Sequence, residues 1–178
     1  MSVLKRTYLE SGCVCIRKMV VLQSRDKWNE RVLDGHWEAD QSTNQNFCFD
    51  VLIDAQLTDR LNSWFNAHRN WFEVMTQIPS LGGFHGTIKR LGWQSSYRFP
   101  WHWDGSKGRR VGLSLCLSAA QGGAFEMRRK WSSEVELRVD HLLPGDVHVF
   151  DVENKDYVHR IAPVHSPGQR VFFSGWFT

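Results

Sequence analysis

The stretch from Phe84 to Phe177 is a succession of short segments rich in β-branched and aromatic residues, each cut off by Gly, Pro or Ser. Eight segments read as strands: His85–Leu91, Ser95–Asp104, Arg109–Ser118, Ala124–Lys130, Glu134–Val139, Asp146–Asp151, Tyr157–Val164 and Gln169–Phe177. Gly122-Gly123 and Pro144-Gly145 mark turns between them, glycine because it enters positive φ freely and proline because its φ is already fixed. Many short strands at this spacing fold as a sandwich or a barrel.

Upstream the pattern is mixed. Residues 14–22 read as a strand or a short hairpin arm, residues 35–46 are polar and loop-like, and Phe47–Ile53 is a short strand. Asp54 or Thr58 caps a helix in which Leu57, Leu61, Trp64, Phe65 and His68 recur at helical spacing on one face. That helix is expected to pack on the outside of the sheet. The 178 residues fit one domain, 1–178, in which 1–84 support a core formed by 85–178. A chain of this length buries roughly 70% of its unfolded surface and needs no disulfide staple. The fold class expected is mainly β with flanking helices (α+β). Nine Trp and eleven Phe supply a bulky core, with a few left to line a substrate pocket.

Charge and cysteines exclude more than they suggest. The net charge is +3 and no nucleic-acid motif is visible; Lys107/Arg109/Arg110 and Arg128/Arg129/Lys130 read as solvated faces, with attraction of an anionic substrate as the alternative. Cys13-x-Cys15 is not a zinc spacing and no second pair completes it, while Cys116 lies in an apolar run as a small core residue. The polar N-terminus resembles no signal peptide, and no segment reaches transmembrane length. The expectation is a cytoplasmic protein with no membrane and no nucleic-acid partner. Its oligomeric state is not readable.

The chemistry concentrates in His102-Trp103-Asp104. Alternation on a strand points His102 and Asp104 the same way, and His159 follows on another strand. Two histidines and one carboxylate on one face of a metal leave the opposite positions open, the arrangement that suits non-haem Fe(II). A lone strand histidine is most often a core or surface residue; Asp104 lifts His102 above that reading, and the segment His159-Arg160-Ile161-Ala162-Pro163-Val164 lifts His159. Arg170 sits in Gly-Gln-Arg-Val-Phe-Phe, apolar on its C-terminal side, and an inward arginine needs an anionic partner. Trp101 and Trp103 alternate away from the ligands and pack behind the strand.

These residues resemble the pattern of the Fe(II)/2-oxoglutarate-dependent oxygenases, in particular the prolyl-4-hydroxylase-like branch: His-x-Asp, a distal His, and a basic residue about ten positions later. Gly122-Gly123-Ala124-Phe125-Glu126 is similar to that branch's Gly-Gly-x-Phe turn, and Pro144-Gly145-Asp146 to Phe150 to its strand before the distal His. The resemblance covers residues 85–177. It implies a double-stranded β-helix (a jelly roll or cupin-like barrel), Fe(II) held by His102, Asp104 and His159, 2-oxoglutarate as cosubstrate with its distal carboxylate on Arg170, and O2 as oxidant. It implies oxidation of a substrate C–H with release of succinate and CO2; the presence of Asp104 favours hydroxylation, or a demethylation, desaturation or cyclisation by the same oxidant, over halogenation. Trp93 stands where many relatives have a cosubstrate-contacting Tyr. Tyr97 is the alternative contact, although strand parity sets it opposite His102 unless Pro100 introduces a bulge.

His165 and His148 compete for the third ligand position, and Pro144-Gly145-Asp146-Val147-His148 resembles half of a cupin motif whose other half is absent. His36, His68, His85 and His141 read as structural or surface residues. Two further readings stand beside the oxygenase: a cupin-like metal enzyme or binder without 2-oxoglutarate, and a catalytically silent jelly-roll binding module. The substrate class expected is a small molecule or amino acid, with Trp93, Arg98, Lys107 and Arg128 as candidate contacts.

Overall fold

The computed structural model describes residues 8, 11–19, 31–40, 47–94, 96, 97, 99–105, 108–118, 122–140, 143–165 and 167–178. Along them the main elements run in the order β1 (Cys13–Ile16), β2 (Trp37–Ala39), β3 (Asp50–Leu52), α1 (Ala55–Ala67), α2 (Arg69–Thr76), β4 (Phe84–Gly92), β5 (Phe99–His102), β6 (Val111–Ser118), β7 (Phe125–Arg129), β8 (Leu137–Val139), β9 (Val147–Asp151), β10 (Tyr157–Ile161) and β11 (Gln169–Phe177). They form a seven-stranded sheet, β1-β9-β6-β11-β4-β3-β2, and a four-stranded sheet, β5-β10-β7-β8. Every pairing is antiparallel. This is the mainly β, double-stranded β-helix architecture expected.

Strand alternation divides the large sheet into two working faces. On β11, Val171, Phe173 and Phe177 join the helix-side core together with Leu113 and Leu115 of β6 and Val147 and Val149 of β9. The intervening residues turn into the barrel, where Phe172 meets Phe125 and Met127 of β7, Phe150 of β9 and Ile161 of β10. Arg170, Ser174 and Trp176 have the parity of Phe172, and Lys89 and Leu91 have the corresponding parity on β4.

Helix α1 covers the outer face as expected. Asp54 is its N-cap, its carboxylate accepting from the Leu57 amide at 2.9 Å. Leu57, Leu61 and Phe65 are buried, whereas Trp64 is only partly buried and exposed His68 stacks on it with 4.0 Å between ring centroids. Phe65 also stacks on Phe84 and Phe173, at 4.7 and 5.7 Å. Removing such a ring costs about 3–5 kcal/mol. Asn62 and Asn66 tie the helix to β4: their amide oxygens accept from the Gly86 and Phe84 amides, both at 2.8 Å. Those side chains occupy backbone groups that β3, paired only at Lys89 and Arg90, leaves uncovered.

Several local expectations need correcting. The first strand is shorter than 14–22; it ends at Ile16, and residues 20–22 lie outside the described ones. Within the stretch read as loop, Trp37–Ala39 is an edge strand paired to β3, its polar composition disguising backbone pairing; residues 41–46 lie outside the described ones. Strand β3 is confined to Asp50–Leu52, β5 to Phe99–His102 and β8 to Leu137–Val139. A second helix, α2, follows α1 directly and buries Phe72 and Met75 before ending at Gln77 with φ 62°.

Turn motifs hold the site-bearing strands in place. Asp146, in the Pro144-Gly145-Asp146 turn, accepts from the Leu143 amide at 2.9 Å, the Lys18 amide at 2.9 Å and the Arg17 guanidinium at 2.5 Å. That turn therefore anchors the start of β9 to the end of β1. Gly122 and Gly123 have φ of +78° and +66°, and a Cβ on Gly123 would stand 3.0 Å from the Arg170 side chain. Glycine is needed there for both conformation and proximity.

Candidate metal centre and its buried arginine

His102 ends β5, and His159 is paired directly opposite it in the middle of β10. Asp104 follows two residues after His102. One ligand atom from each of the three lies within 4.8 Å of the other two. The approaches are 3.6 Å between His102 Nε2 and Asp104 Oδ1, and 3.3 Å between His159 Nε2 and Asp104 Oδ2. All three side chains are nearly buried, at 12%, 14% and 10% exposure for His102, Asp104 and His159.

A bulge makes the grouping possible. His159 pairs with His102 but Ile161 pairs with Phe99, so two residues of β10 face three of β5. The extra residue falls at Pro100-Trp101 and lets Phe99 and His102 both face inward. Their rings meet edge to face, with centroids 5.0 Å apart. Trp101 turns outward, where Arg128 and Arg160 lie 4.4 and 4.6 Å from its ring centroid. Trp103 packs less closely than the sequence suggests: it is 39% exposed, its indole donating to Val152 O at 2.9 Å.

The protonation states favour a cation. His102 Nδ1–H donates to the Pro100 carbonyl at 2.7 Å, which leaves Nε2 as the lone-pair nitrogen facing Asp104. Burial, reinforced by the neighbouring His159 imidazole, lowers the His102 pKa to about 4, so the ring is neutral at pH 7. Burial acts to raise the Asp104 pKa, but the His159 hydrogen bond, both imidazoles and the Trp176 indole outweigh it and hold the carboxyl below its usual range. A lone pair and a carboxylate oxygen brought together this way repel unless a positive centre lies between them. The donor set, two imidazoles and one carboxylate, fits an octahedral ion with open positions.

Trp176, which the sequence did not single out, fixes the carboxylate: its Nε1–H donates to Asp104 Oδ2 at 3.0 Å. Arg109 lies over the Trp176 ring at 3.8 Å, and its Nη1 is also 3.8 Å from Asp104 Oδ1. Lys89 is a second residue the sequence reading missed. It is 7% exposed and donates to Ser174 Oγ at 2.7 Å. Burial lowers its pKa to about 8, with Asp104 acting in the opposite sense, so it is mostly charged at pH 7.

Arg170 is 3% exposed, and its Nε and Nη2 have no hydrogen-bond partner among the described residues. Burial lowers its pKa to about 10, partly offset by Cys116 and Cys15. Its neighbour His148 is fully buried with both ring nitrogens likewise unpartnered, and burial together with the Arg170 charge lowers its pKa to about 3. An arginine fork left open in an apolar interior is a ready receptor for a carboxylate. Between triad and barrel wall lies a space of about 30 Å³ lined by Asp104, His159, Ser114, Phe125, Phe172 and Trp176 among others. A five-carbon diacid enters it only if the surrounding rings give way.

The remaining candidates lie elsewhere. Trp93 is 49% exposed, and Tyr97 donates its hydroxyl to Asp50 Oδ2 at 2.8 Å. Tyr97 borders a surface pocket with Leu91, Phe99, Pro100 and Arg160 that includes none of the triad. His148 and His165 are not members of the ligand group. Arg128 is held on the outer face by Trp101 and the Ser132 carbonyl. Arg98, Lys107 and His141 lie outside the described residues.

No family model matches the sequence, and no curated protein does. Solved structures do. A prolyl-4-hydroxylase from Pseudomonas putida superposes with TM-score 0.72 at 17% identity, over 98% of this chain and 96% of that one. An oxidoreductase of the 2OG-Fe(II) oxygenase family from Burkholderia pseudomallei gives 0.70 at 15%, over 98% and 89%. A prolyl hydroxylase from Trichoplax adhaerens, in complex with a hypoxia inducible factor peptide fragment, gives 0.72 at 13%, over 98% and 87%. The resemblance seen in the motifs thus holds for the fold, and it extends beyond residues 85–177 to nearly the whole chain. Among the described residues no helix is long and apolar enough to cross a membrane.

Proposed function

We propose that this chain is an Fe(II)- and 2-oxoglutarate-dependent oxygenase that oxidises a C–H bond, by hydroxylation in the simplest case, of a small molecule or amino acid. The observation carrying this reading is the conjunction of two features in one barrel. A near-buried His-Asp-His group is poised for a cation, and a buried arginine has two guanidinium nitrogens without a hydrogen-bond partner among the described residues.

His102 would offer its neutral Nε2 to the metal, His159 its Nε2, and Asp104 one negative charge. Trp176 holds the Asp104 carboxylate in its rotamer. Iron held by these residues would supply O2 activation, with 2-oxoglutarate as the two-electron donor that becomes succinate and CO2 and the substrate C–H supplying the other two electrons. Arg170 takes the distal carboxylate of the cosubstrate in its planar fork. Phe125, Phe150 and Phe172 keep water out and strengthen the electrostatics inside.

The reading is tested by substrate-free turnover. Wild-type protein with Fe(II), O2 and ascorbate, which supplies the two electrons a substrate would give, is expected to convert 2-oxoglutarate slowly to succinate, and Asp104→Ala is expected to abolish it. Equal succinate formation by both proteins would remove the triad from the reaction.

A further inference from the structure

Arg170 accounts for one buried cation in the barrel; Lys89 is another, and the cosubstrate does not need it. Lys89 projects from β4 across the inner face, and its Nζ lies 5.4, 6.0 and 5.3 Å from the ring centroids of Phe49, Phe99 and Trp176. Its bond to Ser174 reaches β11 four residues past Arg170, roughly 13 Å farther along the strand. The ammonium stands between two spaces. One is the small space beside Asp104 and His159. The other is an open cleft of about 600 Å³ lined by Asp40, Phe49, His85, Lys89, Arg109 and Trp176.

The charges around the cleft do not balance once the centre is filled. Without metal, Asp104 faces both Lys89 and Arg109. With a divalent ion bound, the Asp104 charge is committed to it, and the two carboxylates of 2-oxoglutarate are met by the ion and Arg170. Lys89 and Arg109 then remain, facing Asp40 across the cleft. A desolvated ammonium in an aromatic surround is costly unless an anion joins it. The cleft is large enough for a small organic acid, with Phe49 and Trp176 as apolar walls. Asp40 on the same lining disfavours a dianion such as phosphate.

We propose that Lys89, assisted by Arg109, binds the carboxylate of the primary substrate, so that the enzyme acts on small carboxylic acids, amino acids included, that enter through this cleft. The inference rests on the proposed function for the position of the metal and for the assignment of Arg170 to the cosubstrate. Lys89 is thus a specificity-determining residue, placed to hold the acid end while the substrate body reaches the triad.

The test uses full-length protein loaded with Mn(II), in wild-type, Lys89→Met and Arg170→Met forms, with circular dichroism confirming that each is folded. Calorimetry first measures 2-oxoglutarate binding, which is expected to be retained in Lys89→Met and lost in Arg170→Met. With 2-oxoglutarate present, 3-phenylpropionate and its neutral isostere 3-phenylpropionamide are then titrated at millimolar concentration. The acid is expected to bind wild type and to bind Lys89→Met about 30-fold more weakly, the loss typical of a truncated buried charge partner. The amide is expected not to bind. Acid binding undiminished in Lys89→Met, an amide as tight as the acid, or no acid binding at all would each overturn the proposal. Loss of 2-oxoglutarate binding in Lys89→Met would do so too, by giving Lys89 to the cosubstrate. Failure of wild type to bind 2-oxoglutarate would instead sink the proposed function, while Lys89-dependent acid binding would still stand.

Discussion

Replacing Arg170 by Met should make the metal-free protein more stable while removing its grip on 2-oxoglutarate. The two effects have one cause. Arg170 is 3% exposed and leaves Nε and Nη2 without partners among the described residues. Its pKa falls from 12.5 to about 10, led by burial, which corresponds to about 3 kcal/mol at 1.36 kcal/mol per pKa unit. An independent route gives a similar size, since a buried unsatisfied polar group costs about 1–3 kcal/mol. Met is unbranched, fits the aliphatic track of the arginine and carries no charge. The expected gain is about 2–3 kcal/mol, or roughly 5–10 °C in Tm for a protein of this length. The same change should weaken 2-oxoglutarate binding to the metal-loaded protein at least about 30-fold. Differential scanning calorimetry of the apo forms and titration calorimetry of the loaded forms measure the two halves. An Arg170→Met protein that melts lower than wild type and binds 2-oxoglutarate equally well would refute the reasoning.

Other substitutions probe the supporting structure. Trp176→Phe keeps the ring but removes the 3.0 Å bond to Asp104, and should lower metal affinity about 10–100-fold, measured by competition with a chelating dye. Gly123→Ala forces alanine to φ +66° and crowds Arg170, and should cost about 1–2 kcal/mol in urea unfolding. Acid should destabilise the fold through His148, whose pKa is about 3 folded against 6.5 unfolded. Its depressed folded pKa means the contribution is fully present above pH 6.5 and shrinks as pH falls toward 3, by about 3 kcal/mol between pH 6.5 and pH 4. His148→Phe should flatten that part of the pH–stability curve, and an unchanged slope would show that other groups set it.

The triad was legible because its signals are local or periodic: His102 and Asp104 stand two apart, and the strands carrying them are marked by turns. Arg170 was legible through its apolar context. Trp176 could have been found by the same rule, since residues 170, 172, 174 and 176 share one face of an unbroken strand. Lys89 could not. Lys89 and Arg90 are consecutive, so one had to face inward, and only the register of β4 against β11 decides which. The bulge opposite β10 that turns Phe99 and His102 the same way depends on tertiary pairing, and Pro100 only hinted at it. Helix α2 was hidden by the polar run His68-Arg69-Asn70, where the chain breaks between helices before Phe72 and Met75 become buried. Strand β2 was hidden because an edge strand with an exposed face needs no apolar pattern.

The proposed function requires that His102, Asp104 and His159 bind an iron ion that 2-oxoglutarate then chelates. It is tested most directly by adding 2-oxoglutarate anaerobically to Fe(II)-loaded protein and recording the visible spectrum. A weak charge-transfer band is expected in wild type and is expected to be absent in His102→Ala and in Asp104→Ala. Bound iron that gives no band with 2-oxoglutarate, or a band that survives both substitutions, would contradict it.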